Sequence, residues 1–138
     1  MRWTRGFTLL ELLIVVTIIA ILAAMAMPQY LRVAERARTA EALTVLAAMR
    51  SSELRYRSAD PAGSYTTNLN TLDIDGPGPS NTWGTFLWNY TVTGTALTSN
   101  AKATRVGFVA KSVELDLDTG ASCSPGNGTL YGLSDLAC

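Results

Sequence analysis

The N-terminal part of the chain holds an apolar run too long for a small globular domain to bury. Residues 7–27 read FTLLELLIVVTIIAILAAMAM, in which Thr8, Glu11 and Thr17 are the only polar side chains. About 20 consecutive apolar residues are enough to cross a bilayer as an α-helix. We therefore expect residues 7–28 to form a transmembrane helix.

The flank before this run predicts the direction in which the helix crosses the membrane. Residues 1–6, MRWTRG, include Arg2 and Arg5. Short basic flanks stay on the cytoplasmic side of a membrane. We expect the N-terminus to lie in the cytoplasm and the rest of the chain to lie outside it.

Three interpretations of the apolar run remain open. Residues 1–26 also fit a secretory signal peptide, because Ala24-Met25-Ala26 resembles an A-x-A cleavage site. A cut after Ala26 would release a soluble binding domain. The other two are a simple anchor and an anchor with a function at its N-terminal end. Glu11 favours the last, since a carboxylate inside an apolar run costs on the order of 2 kcal/mol on insertion.

Composition argues against several classes of function. The chain has 138 residues, with 11 Lys plus Arg and 11 Asp plus Glu, so it has no basic excess for binding nucleic acid by bulk charge. It has no histidine, which excludes the Ser-His-Asp and Cys-His arrangements. The acidic sequences at 73–75 and 116–118 lack the glycine and glutamate of a calcium loop. We predict no catalytic residue, metal site or cofactor, and therefore no enzyme.

A second helical pattern follows the apolar run. Proline inside a helix marks a stop or a bend. Residues 29–57 contain no Gly or Pro and are rich in helix formers, so we expect Pro28 to kink a helix that continues to residue 57. Glu53 and Arg57 have the spacing of a helical ion pair. The predicted apolar face consists of Val33, Ala37, Ala40, Leu43, Ala47 and Leu54.

Residues 58–138 differ in composition and predict a small extracytoplasmic domain. They are rich in Gly, Ser, Thr, Asn and Pro, and four segments have the character of strands, at 86–93, 96–98, 105–111 and 113–118. The last alternates, with Val113, Leu115 and Leu117 on one face. We expect an α+β fold, in which an antiparallel sheet of about four strands packs on the outer half of the helix.

Cys123 and Cys138 are the only two cysteines. The predicted orientation exports both to a compartment where a disulfide can persist. We expect them to be bonded and to close a C-terminal loop. The alternative is two free, buried thiols.

The N-terminal sequence also carries a specific resemblance. Gly6-Phe7-Thr8-Leu9-Leu10-Glu11, followed by LLIVVTIIAILAAMAMPQY, closely resembles the processing site and first helix of type IV prepilins and of the related pseudopilins of type II secretion. The match covers residues 1–57. It implies that a prepilin peptidase removes residues 1–6 by cutting between Gly6 and Phe7, and then N-methylates Phe7.

The resemblance further implies a type IV pilin, which is a structural subunit of an extracellular filament. Such a chain waits in the inner membrane as a precursor, meets the peptidase and the pilus assembly machinery, and forms a helical homopolymer through residues 7–57. The alternative is a pseudopilin. A C-terminal loop bounded by a disulfide resembles pilins more, whereas Trp83-Gly84 and Trp88-Asn89-Tyr90 resemble pseudopilin sheets.

Cleavage before Phe7 would give Glu11 a partner. The new α-amine has an intrinsic pKa of about 7.7–8.0, and methylation preserves its charge. Glu11 could pair with the amine of its own helix or with that of a neighbour. In the second case it would select the register of assembly. The alternative is that Glu11 only reaches for the membrane edge.

Overall fold

The computed structural model describes residues 7–78, 83–94, 98–108, 111–126, 128 and 133. Its contacts divide the chain into two units, which meet between Ala34 and Glu35. One α-helix, α1, spans Leu9–Ala59. The part of α1 up to Ala34 belongs to the first unit, whose described residues contain no other element, and the rest of α1 belongs to the second.

The second unit adds a short 3₁₀ helix and a four-stranded sheet. The 3₁₀ helix spans Leu69–Thr71. The strands are β1 (Trp88–Gly94), β2 (Ser99–Arg105), β3 (Ser112–Asp116) and β4 (Ser122–Cys123). They form one antiparallel meander in the order β1-β2-β3-β4. The predicted α+β architecture is confirmed.

The core lies between α1 and one face of the sheet. Burial alternates along β1, where Trp88, Tyr90 and Val92 are buried. In β3 and just after it, Val113, Leu115 and Leu117 are buried, as their alternation predicts. The helix contributes Ala42, Leu46 and Met49 to the same cluster.

The predicted apolar face of the outer helix is mostly wrong, and of its six residues only Leu43 packs against the core. The buried positions of α1 are Thr39, Ala42, Leu46, Met49, Ser52 and Glu53, whereas Val33 and Leu54 are exposed. Three of the buried residues are polar, and each makes a hydrogen bond. Thr39 Oγ1 donates to Glu35 O at 3.0 Å within the helix, whereas Ser52 and Glu53 bond to Asp73 and Thr66 of the loop after α1. Hydrogen bonding lets a polar side chain share a buried face with large apolar ones.

One predicted strand is also wrong. Of the predicted segment 105–111, the structure describes 105–108 and 111. Arg105 ends β2 and the chain turns there, with the Phe108 N–H donating to Arg105 O at 3.1 Å. Gly107 has φ +79°, a left-handed conformation that favours glycine. For the predicted strand at 96–98, residues 95–97 lie outside the described residues, and β2 begins at Ser99.

Candidate functional site

The first unit exposes almost its entire apolar surface. Within α1, an 18-residue window reaches a mean hydropathy of 2.8, and none of that window is buried. Phe7 is 70% exposed and Leu9 88% exposed. By length and composition, this helix can cross a membrane.

Thr8 starts the helix. The Leu12 N–H donates to Thr8 O at 3.2 Å, and the Glu11 N–H donates to Thr8 Oγ1 at 3.2 Å. The second bond is one half of a capping box, which has the pattern S/T-x-x-E/Q. The sequence analysis missed this role of Thr8, although the spacing of Thr8 and Glu11 carries the signal.

Glu11 lies in the first turn of α1, on an exposed part of the helix. Across the described part of the chain, no ion pair reaches its carboxylate. Gly6, the residue before the predicted cut, lies outside the described residues. The predicted pairing of Glu11 with the amine of Phe7 therefore stays a prediction.

Two further predicted site residues have a described position. Pro28 lies inside α1, which continues past it; the helix does not stop there, and the kink stays a prediction. Cys123 is buried in β4. Cys138 lies outside the described residues, so the disulfide also stays a prediction.

Within the second unit, charged hydrogen bonds join the C-terminal end of α1 to the loop after it and to the turn after β3. Arg57 NH1 lies 2.6 Å from Asp118 Oδ1 and 2.9 Å from the Tyr65 hydroxyl oxygen. The Tyr65 hydroxyl donates to the same Asp118 oxygen at 2.8 Å. The hydrogen bond from Tyr65, followed by that from Arg57, lowers the pKa of Asp118. The predicted pair between Glu53 and Arg57 is wrong, because Arg57 is held by Asp118 instead.

A second contact of the same kind starts two residues earlier on α1, at Arg55. Arg55 binds Asp73 through two nitrogens, at 2.6 and 2.7 Å, and the Ser52 hydroxyl donates to the same carboxylate. These bonds lower the pKa of Asp73, with Arg55 as the larger cause. Both contacts fix the loop after α1 against the helix.

Glu53 is the buried charge of the second unit. Its side chain is fully buried. The Thr66 N–H donates to Oε2 at 3.1 Å, while Oε1 has no hydrogen-bond partner. Burial raises the pKa of Glu53 above its ordinary value of 4.5, although the bond from Thr66 opposes the shift.

Glu53→Gln is expected to stabilise the fold at neutral pH. The folded state binds the proton of Glu53 more tightly than the unfolded state does. In the parent chain, the stability that Glu53 contributes by binding this proton is therefore present below pH 4.5 and is lost as the pH rises through the pKa of Glu53 in the folded state. Glutamine keeps an oxygen acceptor for Thr66 without a charge. Thermal unfolding of the full chain in detergent, from pH 4.5 to neutral, should show a stability gain that grows with pH.

Glu41→Gln is the matched control, since Glu41 is an exposed glutamate of the same helix. It should leave the pH dependence as in the parent chain. Parallel pH profiles for the parent chain and Glu53→Gln would contradict the assignment of Glu53 as a buried, destabilising carboxylate.

The sequence of this chain matches a family model and several known proteins. Residues 4–27 match the family model described as the prokaryotic N-terminal methylation motif. This match includes the segment around Phe7 and Glu11 and most of the exposed apolar helix. No solved structure matches the chain significantly.

Three curated relatives extend the match. The type IV major pilin protein PilA of Myxococcus xanthus is 46% identical over 54 residues, which are 39% of this chain and 24% of that protein. A fimbrial protein of Dichelobacter nodosus is 36% identical over 85 residues, which are 52% of this chain and 53% of that protein. The type IV major pilin protein PilE1 of Neisseria gonorrhoeae is 30% identical over 113 residues, which are 82% of this chain and 67% of that protein. The similarity to PilE1 extends well past the N-terminal motif into the sheet, and the chain belongs to the type IV pilin family.

Proposed function

We propose that this pilin is a structural subunit of an extracellular filament and that it polymerises through residues 7–57. The observation that carries the proposal is the fully exposed apolar part of α1. Exposed apolar surface costs roughly 25 cal/mol per Å² in water. Lipid covers it in the precursor, and the same helices of other copies cover it in the filament.

Processing precedes assembly in this proposal. The prepilin peptidase cuts between Gly6 and Phe7, and Phe7 becomes the methylated N-terminus. The match of residues 4–27 to a methylation motif supports this step. Residues 7–28 then form the anchor and later the filament core, residues 29–57 continue the helix, and residues 58–138 form the extracytoplasmic domain.

Location and partners follow from the same anchor. The precursor lies in the inner membrane with its N-terminus in the cytoplasm, because Arg2 and Arg5 precede the apolar run. The assembly machinery moves it into a filament on the cell surface. The relatives named above are pilins and a fimbrial protein, which favours a pilus over a pseudopilus.

Mass spectrometry of the mature chain tests this proposal. We expect the mature N-terminus to be Phe7 carrying one methyl group, in protein taken from sheared surface filaments. A start at Met27 would instead identify a signal peptide cut after Ala26 and would overturn the filament proposal.

The same spectra, recorded before and after reduction, test the disulfide between Cys123 and Cys138, since reduction adds two hydrogen atoms. Electron microscopy then distinguishes long pili from short pseudopili.

A further inference from the structure

Three large apolar side chains of the second unit are exposed at one place. Phe86 is 93% exposed, Val106 44% and Phe108 56%. They are close in the fold, because the Val106 N–H donates to Leu87 O at 2.9 Å and the Phe108 N–H donates to Arg105 O at 3.1 Å. Together with Arg105 and Lys111 they are called the basal patch. A contiguous exposed apolar patch marks an interaction surface more often than scattered residues do.

The basal patch lies where the chain enters the second unit. Arg105 pairs with Trp88 in the sheet register, and its NH1 lies 2.9 Å from Glu35 Oε2. Glu35 is the first residue of that unit. The patch is therefore at the end of the sheet that lies near Glu35, the start of the second unit.

Charge distinguishes this end from the opposite one. Glu35 lies between Arg38 and Arg105, at 2.7 and 2.9 Å, so two cations share one carboxylate. Lys111 adds a third cation, with Nζ 5.1 Å from the centre of the Phe108 ring. The carboxylates of Asp73 and Asp118 instead contact the far end of α1, about 30 Å along the helix from Glu35 at 1.5 Å per residue.

We propose that the basal patch docks on the headgroup region of an anionic bilayer while the precursor is anchored. The inference rests on the proposed membrane-anchored precursor. Aromatic and aliphatic side chains bordered by Lys and Arg are the composition that binds a membrane interface. Anionic lipids attract each nearby Lys or Arg by about 1 kcal/mol. The patch supplies the apolar side chains and, beside the Phe108 ring, the cation Lys111; the Arg105 side chain is only 10% exposed and pairs with Glu35.

A second copy of the chain is the less favoured occupant. The part of a neighbouring helix that follows its apolar run carries Arg32 and Arg36. Like charges at an interface are unfavourable, and Lys111 would face them. The anionic bilayer is the partner of opposite charge, and an anchored chain meets it before it meets any other subunit.

Photo-crosslinking of the full-length chain tests the proposal. The photoreactive residue p-benzoylphenylalanine replaces Phe86, and the chain is reconstituted at low density into vesicles of phosphatidylglycerol and phosphatidylcholine. We expect lipid adducts at position 86. The matched control places the same residue at Leu54, which is also an exposed apolar position of the second unit, 37% exposed, but lies on the helix far from the patch. Position 54 should give few adducts.

A third probe, at Val15 in the apolar segment, separates the two proposals. Adducts at both 15 and 86 support docking. Adducts at 15 with no excess at 86 over 54 overturn the docking proposal and leave the anchor intact. The absence of lipid adducts at 15 overturns the anchor, and docking with it. Crosslinks from position 86 to a second chain in place of lipid overturn the membrane assignment.

Lys111→Gln, in the same vesicles, tests whether the charge of Lys111 contributes to docking on the anionic bilayer. Removing one cation near an anionic surface should lower the adduct yield at position 86 by about five-fold, from about 1 kcal/mol per charge. The matched control is Lys102→Gln, since Lys102 lies in the middle of β2 and pairs with Glu114 at 3.0 Å. An unchanged yield with Lys111→Gln would overturn the role of charge in the docking.

Discussion

Gly6→Asp is expected to leave the uncut precursor in the membrane and to abolish surface filaments. A peptidase that acts after Gly6 accepts a residue without a Cβ there, so that the backbone can approach the enzyme closely. Aspartate adds both bulk and charge at that point. Immunoblots of membrane fractions should show only the longer chain, and sheared surface fractions should contain none.

Thr4→Asp is the matched control, because it adds the same charge to the same leader two residues earlier. Membrane orientation depends on Lys and Arg and little on acidic residues, so this variant should insert, be cut and assemble. Gly6→Ala adds only a methyl group and should be cut partly or slowly. Normal maturation of Gly6→Asp would contradict the assignment of the cleavage site.

The sequence alone predicts the long helix well, because its signals are local. The apolar run and the absence of Gly and Pro from residues 29–57 predict a helix that runs to residue 57, and α1 ends at Ala59. Pro28 does not stop the helix, as expected from the strong helix formers on both sides. The exposure of the apolar segment also follows from its length, which exceeds what a small domain can cover.

The buried face of that helix could not be predicted in the same way. Alanines at 37, 40 and 47 fit a helical period as well as Ala42, Leu46 and Met49 do, and the sheet decides which set is covered. As polar residues, Ser52 and Glu53 would be expected to face solvent. Both are buried, because the loop after α1 covers them and supplies Asp73 and the Thr66 N–H as hydrogen-bond partners. Contacts between distant segments decide these positions, and periodicity does not contain them.

The strands show the same limit. β3 alternates cleanly, and the predicted strand at 113–118 lies close to the observed Ser112–Asp116. In contrast, β2, with the sequence SNAKATR, has only small or polar residues. Its Ala101 and Ala103 are fully buried, since the neighbouring strands and the helix supply the apolar surface. In the candidate site, the sequence identified Glu11 but missed Thr8, whose hydroxyl accepts the Glu11 N–H.

Glu11→Ala is expected to be cut and inserted normally and yet to form few filaments. Removing a carboxylate favours insertion, and alanine is the best helix former and keeps the backbone N–H that donates to Thr8 Oγ1. We therefore expect anchoring and the observed Thr8 cap to be preserved. What we expect the variant to lose is the proposed partner of the methylated amine of Phe7. Breaking a buried ion pair by removing one member costs roughly 3–5 kcal/mol. Filaments recovered from the cell surface, relative to processed pilin in the membrane, should fall by about 100-fold or more.

Thr17→Val is the control for the loss of a polar group from the same helix. Thr17 Oγ1 donates to Ile14 O at 2.8 Å, so its one hydrogen-bond donor is used within its own helix. This variant should assemble as the parent chain does. Abundant filaments from Glu11→Ala would contradict the pairing and would leave Glu11 as a side chain that only reaches the membrane edge.

Glu11→Gln separates pairing from helix capping. The Glu11 N–H binds the Thr8 hydroxyl, and either Glu or Gln at this position completes a capping box. Glutamine therefore preserves the start of the helix and the size of the side chain, and removes only the negative charge. If the carboxylate pairs with the amine of Phe7, Glu11→Gln should assemble as poorly as Glu11→Ala. Filaments at the level of the parent chain would show that Glu11 serves to cap the helix, because only the charge distinguishes the two side chains.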